Sequence, residues 1–218
     1  MRRHYTPVPS LLESGLVTET APDPPDPIVE LVADRERARA AKDPFTDLCV
    51  LATAPDGEPP AVRTLVLRDV GPPGIGLLVS GSSPKWPPLR EGRYELLLPW
   101  LSIRRQYRVR GSLRAMPEAL VERYWGQKVH ESRLLDLYYE RIRPQSSAVR
   151  SREEFRAGIE ELRRAHPHPE DVPRPPLLRG VHLVPQRIEI WHGSADRLHH
   201  RRRYTLEEGR WAEVVLVP

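Results

Sequence analysis

Two arginines, Arg63 and Arg68, bracket the apolar run Leu65-Val66-Leu67. On an extended strand, residues five apart face opposite sides. Each guanidinium therefore needs its own anionic partner, or ends in solvent. The segment Ser80-Gly81-Ser82-Ser83-Pro84-Lys85 supplies small residues, hydroxyls and one ammonium group. That is the donor set a phosphate uses, and it is also the composition of an ordinary polar loop. The densest stretch is Trp191-His192-Gly193-Ser194-Ala195-Asp196-Arg197-Leu198-His199-His200-Arg201-Arg202-Arg203. Zinc would need three or four ligands there, but His199 and His200 point apart on an extended chain and no cysteine joins them, so no metal is assigned. Arg201-Arg202-Arg203 could meet phosphates of a nucleic acid, yet the aromatic interleaving of a stacking platform is missing. A small-molecule site remains: Arg197 and His199, two apart on a strand, would share a face and meet one anionic or polar substrate. Gln145-Ser146-Ser147 reads as a linker.

The elements that would position these residues follow from punctuation and period. Pro22-Asp23-Pro24-Pro25-Asp26-Pro27 forbids regular structure, so residues 1–26 read as a mobile N-terminal arm and 27–218 as a single domain. Asp26 followed by Pro27 is an N-cap with proline at the first helical position, opening a helix that runs to residue 41. Short apolar runs at 48–53, 62–67, 75–79, 95–98 and 103–113, separated by turn residues, predict five closely spaced strands in an antiparallel barrel. Helices follow from Pro117, over 131–141, and behind Ser151-Arg152-Glu153-Glu154. That last stretch is a capping box with Phe155, Ile159 and Leu162 at helical spacing. Two further strands, 180–184 and 188–191, precede a hairpin across Glu207-Glu208-Gly209.

Composition narrows the classes. Lysine occurs only at Lys42, Lys85 and Lys128, so 31 of the 34 basic residues are arginine, against 30 acidic ones. The excess could mean a nucleic-acid tail, a linker or a coding bias; the small net charge of +4 and the spread of arginines favour bias. No apolar run of membrane-spanning length and no secretory leader is visible. The single Cys49 excludes an intrachain disulfide framework. A cytoplasmic protein that binds neither nucleic acid nor membrane is expected.

Taken in order, the segments resemble the FMN-dependent pyridoxine/pyridoxamine 5′-phosphate oxidase family. The resemblance rests on Arg63-Thr64-Leu65-Val66-Leu67-Arg68, Ser83-Pro84-Lys85, Leu98-Pro99-Trp100 with Gln106 behind it, Gln145-Ser146-Ser147, and Arg197-Leu198-His199-His200-Arg201 after Ile188-Glu189-Ile190-Trp191. It implies an α+β, mainly β fold: a split antiparallel β-barrel of the FMN-binding type, flanked by helices. It further implies a homodimer with FMN at the interface and a flavin-dependent oxidase converting pyridoxamine or pyridoxine 5′-phosphate to pyridoxal 5′-phosphate with dioxygen. The related phenazine-biosynthesis type acts on an aromatic carboxylic compound, and a non-catalytic flavin- or vitamer-binding protein is the third reading. By the same resemblance, Arg63 and Lys85 would hold the FMN phosphate with Gln145 and Ser146, while Gln106, Trp191 and Arg201 line the flavin. Arg68, Tyr124, Lys128 and Ser132 would take the phosphate of a small phosphorylated pyridine. Arg197 and His199 would close over its ring as the catalytic pair. Tyr124, Lys128 and Ser132 are four apart, and line one face if the helix from Pro117 reaches that far. Five positions depart from the family pattern. Arg68 stands for a lysine, Lys128 for an arginine, Pro84 for an arginine, and Leu78-Val79 for a Tyr-Thr pair.

Overall fold

The computed structural model describes residues 25–218, so the arm expected over 1–26 falls almost wholly outside them. The chain opens with α1 (Pro27–Ala40), capped by the Asp26 carboxylate, which accepts the Ile28 N–H at 2.8 Å as the Asp-Pro pair predicts. Next come β1 (Leu48–Thr53), β2 (Ala61–Val66), the two-residue β3 (Val70–Gly71) and β4 (Gly74–Ser80). A short α2 (Trp86–Arg90) leads to β5 (Tyr94–Trp100) and β6 (Arg105–Ala115). Helices α3 (Glu118–Gly126), α4 (His130–Arg141) and α5 (Arg152–Ala165) follow, then β7 (Leu178–His192), β8 (His200–Glu207) and β9 (Arg210–Leu216).

All the strands join one curled antiparallel sheet in the order β2-β1-β5-β6-β7-β4-β3, with β8 and β9 added to the far half of β7. The two strands expected at 180–184 and 188–191 are one. Pro185 lacks an amide donor, but it sits where the β6–β7 register shifts between Arg110 and Gly111, so the ladder loses nothing there. Along its other edge β7 pairs with β4 before this bulge and with β8 after it. The β8–β9 turn places Glu208 at φ 49° and Gly209 at φ 81°, the left-handed pair a two-residue hairpin demands.

Leu51, Leu96, Val109, Ile188 and Tyr204 lie directly opposite one another across β1, β5, β6, β7 and β8, and none is accessible to solvent. Burying such side chains contributes roughly 1.5–3 kcal/mol each. The helix α1 is fastened to this barrel by a fully buried carboxylate. Asp34 accepts from Arg105 Nε at 2.9 Å and from the Tyr107 hydroxyl. A second core holds α3, α4 and α5 together through Val121, Trp125, Leu134, Leu137, Tyr138 and Leu162. The cap of α5 is half of the expected box. Ser151 Oγ accepts the Glu154 N–H, but the Glu154 carboxylate turns to the Arg150 amide and to Arg143 instead of to Ser151.

Candidate functional site

The site residues fall into two groups on opposite faces of the sheet. The first is a cradle of cations around Asp136 of α4. Arg63 stands on β2 opposite Leu51, and so on the core side of the sheet. Its Nη1 donates to Thr53 Oγ1 at 2.6 Å, Ala61 O at 2.9 Å and Leu51 O at 3.2 Å. Lys85, buried just ahead of α2, gives its ammonium to Ser83 Oγ and to Gln145 Oε1 at 2.6 Å. Both cations thus donate only to neutral oxygens among the described residues. Burial, then the nearby Arg63 charge, pulls the Lys85 pKa down to about 8, with Asp136 acting the other way.

Arg68 is not on the strand with Arg63. β2 stops at Val66, and the Arg68 amide donates to Gly76 O at 2.9 Å beyond it, so the opposite-face expectation fails and both cations serve the same cradle. Burial lowers the Arg68 pKa while Asp136 and then Tyr124 raise it, and its buried Nε has no partner among the described residues. The helix from Pro117 also ends early. α3 closes at Gly126, Lys128 sits in the connection with its amide on Trp125 O, and Ser132 lies in the first turn of α4. The three residues therefore do not share one helix face.

Sequence reasoning missed the acids of this cluster. Lys128 Nζ is paired to Asp136, with both side chains largely buried (9% and 15% exposed). Tyr124 donates its hydroxyl to Asp69 Oδ2 at 2.6 Å, and the buried His182 ring lies 3.3 Å from the same carboxylate. Asp69 can approach because Gly76 has no side chain; a Cβ there would stand 2.0 Å from Oδ1. A signal for Asp136 did exist: Ser132, Asp136 and Tyr139 repeat at i, i+4, i+7, one face of α4. Tyr139 shares Gln145 with Lys85, and burial followed by Asp136 raises its pKa. Ser146 is exposed in the turn at φ 71°, and among the described residues no polar contact ties its side chain or that of Ser132 to the cradle.

The second group lies on the outer face. Gln106, Trp191 and Arg201 are directly opposite one another on β6, β7 and β8. Arg201 donates to Glu189 at 2.6 Å and 3.2 Å and to Val217 O at 2.9 Å. Arg197 and His199 are in the loop between β7 and β8, not on a strand; Arg197 is exposed at φ 68°. His199 nevertheless belongs to the row. Its ring lies 4.9 Å from that of Trp191, and Nδ1 accepts the Ser194 N–H at 3.2 Å. Cys49 is no nucleophile, since burial pushes its thiol up to about 12. Among the described residues no cluster has the ligands for a metal, and no helix is long and apolar enough to cross a membrane.

Residues 179–218 match the pyridoxine 5′-phosphate oxidase C-terminal dimerisation region. The pyridoxine/pyridoxamine 5′-phosphate oxidase of Erythrobacter litoralis is 32% identical over 94% of this chain and 96% of its own length. That of Myxococcus xanthus is 31% identical over 89% and 93%. The chain belongs to the pyridoxine/pyridoxamine 5′-phosphate oxidase family. Among solved structures, PhzG of Burkholderia lata 383, in complex with tetrahydrophenazine-1-carboxylic acid, superposes with a TM-score of 0.77 at 26% identity, covering 89% of this chain and 94% of its own. A pyridoxamine 5′-phosphate oxidase-related, FMN-binding protein of Nostoc punctiforme shares the fold, with a TM-score of 0.65 at 16% identity over 88% and 98% of the two chains. The fold is thus the helix-flanked split barrel that the resemblance implied, and the protein is an FMN-dependent oxidase. Its own residues fit that cofactor. Buried Lys85 and half-buried Arg63, close enough for the Arg63 charge to lower the Lys85 pKa, donate only to neutral oxygens among the described residues, and a flavin phosphate is an anion they would accept.

Proposed function

We propose that the protein oxidises a small heteroaromatic alcohol or amine carrying an anionic anchor, with dioxygen as the electron acceptor. Pyridoxine and pyridoxamine 5′-phosphate are the members of that class to which its relatives' names point. The carrying observation is the convergence of Arg63, Lys85, Arg68 and Lys128 from separate segments on one half-buried cluster. Four cations are enough to serve two anions, a flavin phosphate and a substrate anchor. In this reading Arg63 and Lys85 hold the former with Gln145 and Ser146, while Arg68, Tyr124, Lys128 and Ser132 take the latter.

Gln106, Trp191 and Arg201 would line the flavin ring, with Gln106 and Arg201 offering hydrogen bonds to its edge. Bound FMN supplies the hydride acceptor and the route of the electrons to dioxygen, which leaves as hydrogen peroxide. The chain supplies position and protons. Because Nδ1 of His199 accepts the Ser194 N–H, the neutral ring carries its proton on Nε2, free to donate to the substrate. Arg197, exposed at the tip of the same loop, orients the substrate over the ring.

We also read the site as shared between two protomers. In one chain the cradle and the Gln106–Trp191–Arg201 row are on opposite faces of the sheet, so one protomer cannot bring both to one flavin. The row's face also carries Val62 and Val66, 65% and 48% exposed. A two-fold pairing through it sets the row of one protomer against the cradle of its partner.

The test is direct. FMN-loaded protein should sediment as a dimer and form peroxide with pyridoxamine 5′-phosphate. Arg197→Met should cut turnover at least tenfold while the flavin stays bound; loss of flavin would contradict the assigned role. The same flavin chemistry on an aromatic carboxylate is the second reading, favoured by the fit to PhzG and the acid on Lys128.

A further inference from the structure

The cradle is not a bare set of cations. Lys128 Nζ is already paired to Asp136, and the Asp136 charge is felt by Arg68 and Lys85 as well. Tyr124, the neighbouring donor, is already given to Asp69. With Arg123, whose Nη2 donates to the same Tyr124 hydroxyl at 3.1 Å, five cations stand with two carboxylates of the chain itself, and a flavin phosphate would neutralise two of the three positive charges that remain. A substrate phosphate, carrying two more negative charges, would then arrive at a cluster with only one net positive charge, enough for a monoanion, and have to displace Asp136 from Lys128. In a half-buried site such like-charge crowding is screened far less than in water. A single carboxylate asks for half as much, and Arg68, with its free buried Nε, has the fork that receives one.

We propose that Asp136 is a specificity-determining residue, which turns the substrate-anion site from phosphate dianions towards singly charged carboxylate anchors. The inference rests on the proposed FMN-dependent reading and names the substrate class of that same site. Asp136 reaches it from α4 at the position where the face begun by Ser132 meets Lys128. It therefore acts on the anchor and not on the flavin ring row, which lies on the other face of the sheet.

The experiment uses the FMN-loaded full chain and reads equilibrium binding by calorimetry, with a matched pair of probes: 3-pyridylmethyl phosphate and 3-pyridylacetate. Flavin uptake, read from visible absorbance, comes first; its absence would overturn the FMN-dependent reading and this inference with it. With flavin bound, the wild-type protein should bind the carboxylate at least as tightly as the phosphate. Asp136→Asn, which keeps the shape and removes the charge, should tighten the phosphate about tenfold and leave the carboxylate within about threefold. Lys128→Met should cost little phosphate affinity in the wild type but about tenfold in the Asp136→Asn background, where the ammonium is released. A wild-type protein that takes up flavin and prefers the phosphate tenfold overturns the inference alone, whether or not any variant folds. So does an Asp136→Asn protein whose phosphate affinity is unchanged.

Discussion

The anion cradle and the Gln106–Trp191–Arg201 row both depend on arginine, yet their charges are satisfied differently. In the row, Arg201 lies on Glu189, which is itself 6% exposed and also 3.6 Å from Arg108. His199 rests on Trp191 and takes the Ser194 amide. The charge of Arg201 is thus met by the chain itself. In the cradle, Arg63 and Lys85 meet only neutral oxygens among the described residues, and Arg68 keeps a buried Nε without a partner. One region is finished by the fold and the other by what it binds. Charges whose desolvation the fold leaves uncompensated are the ones a ligand can reward.

That contrast can be broken at several points. The largest effect is expected from Lys85→Met. It removes a charge-assisted contact to the flavin phosphate, so FMN affinity should fall about 100-fold (roughly 2.7 kcal/mol) in a fluorescence titration. The same change relieves a buried cation, so the ligand-free protein should melt at a higher temperature than the wild type. A lower one would mean that the cradle is structural like the row. Next comes Glu189→Gln, which leaves Arg201 and Arg108 without their shared carboxylate. Breaking such a buried ion cluster costs several kcal/mol, reduced here because both guanidinium groups are partly in solvent. A loss of about 2 kcal/mol in urea unfolding is expected.

Within one pH unit, the smallest effect is in pH. Lys85 titrates near 8 when folded and near 10.5 when unfolded, so between these values the unfolded chain holds more protons. The ligand-free protein should therefore gain stability as pH rises from 8 to 10.5. FMN affinity should move the other way, falling by up to about tenfold per pH unit above 8, because the phosphate needs the ammonium form. Both trends should disappear in Lys85→Met.

Much of the fold was legible in the sequence because its signals are local. Asp26-Pro27 sets its own helix start, and Glu208-Gly209 sets its own turn. β7 was misread as two strands because a proline normally interrupts a ladder, and only the β6 partner reveals that Pro185 falls at a bulge. Residues Arg63, Lys85 and Gln145 could be gathered from motif order, and the fold brings them together. Spacing misled where it assumed continuous elements. Arg197 and His199 are in a loop, Arg68 lies past its strand, and the run through Tyr124, Lys128 and Ser132 is broken after Gly126. Asp136 shares a helical repeat with Ser132 and Tyr139, which marks a face of α4 but not Lys128 as its partner, and for Asp69 no local signal exists. Asp69 meets Tyr124 across 55 residues, and only tertiary packing makes that pair.

The central claim is tested most directly by anaerobic titration of FMN-loaded protein. The account predicts one FMN bound per chain and bleaching of the yellow colour by pyridoxamine 5′-phosphate or a heteroaromatic carboxylate of the same alcohol or amine type. Colour should return on admitting air, with peroxide formed in equal amount. A chain that takes up no FMN, or a bound flavin that no such substrate bleaches, would contradict it.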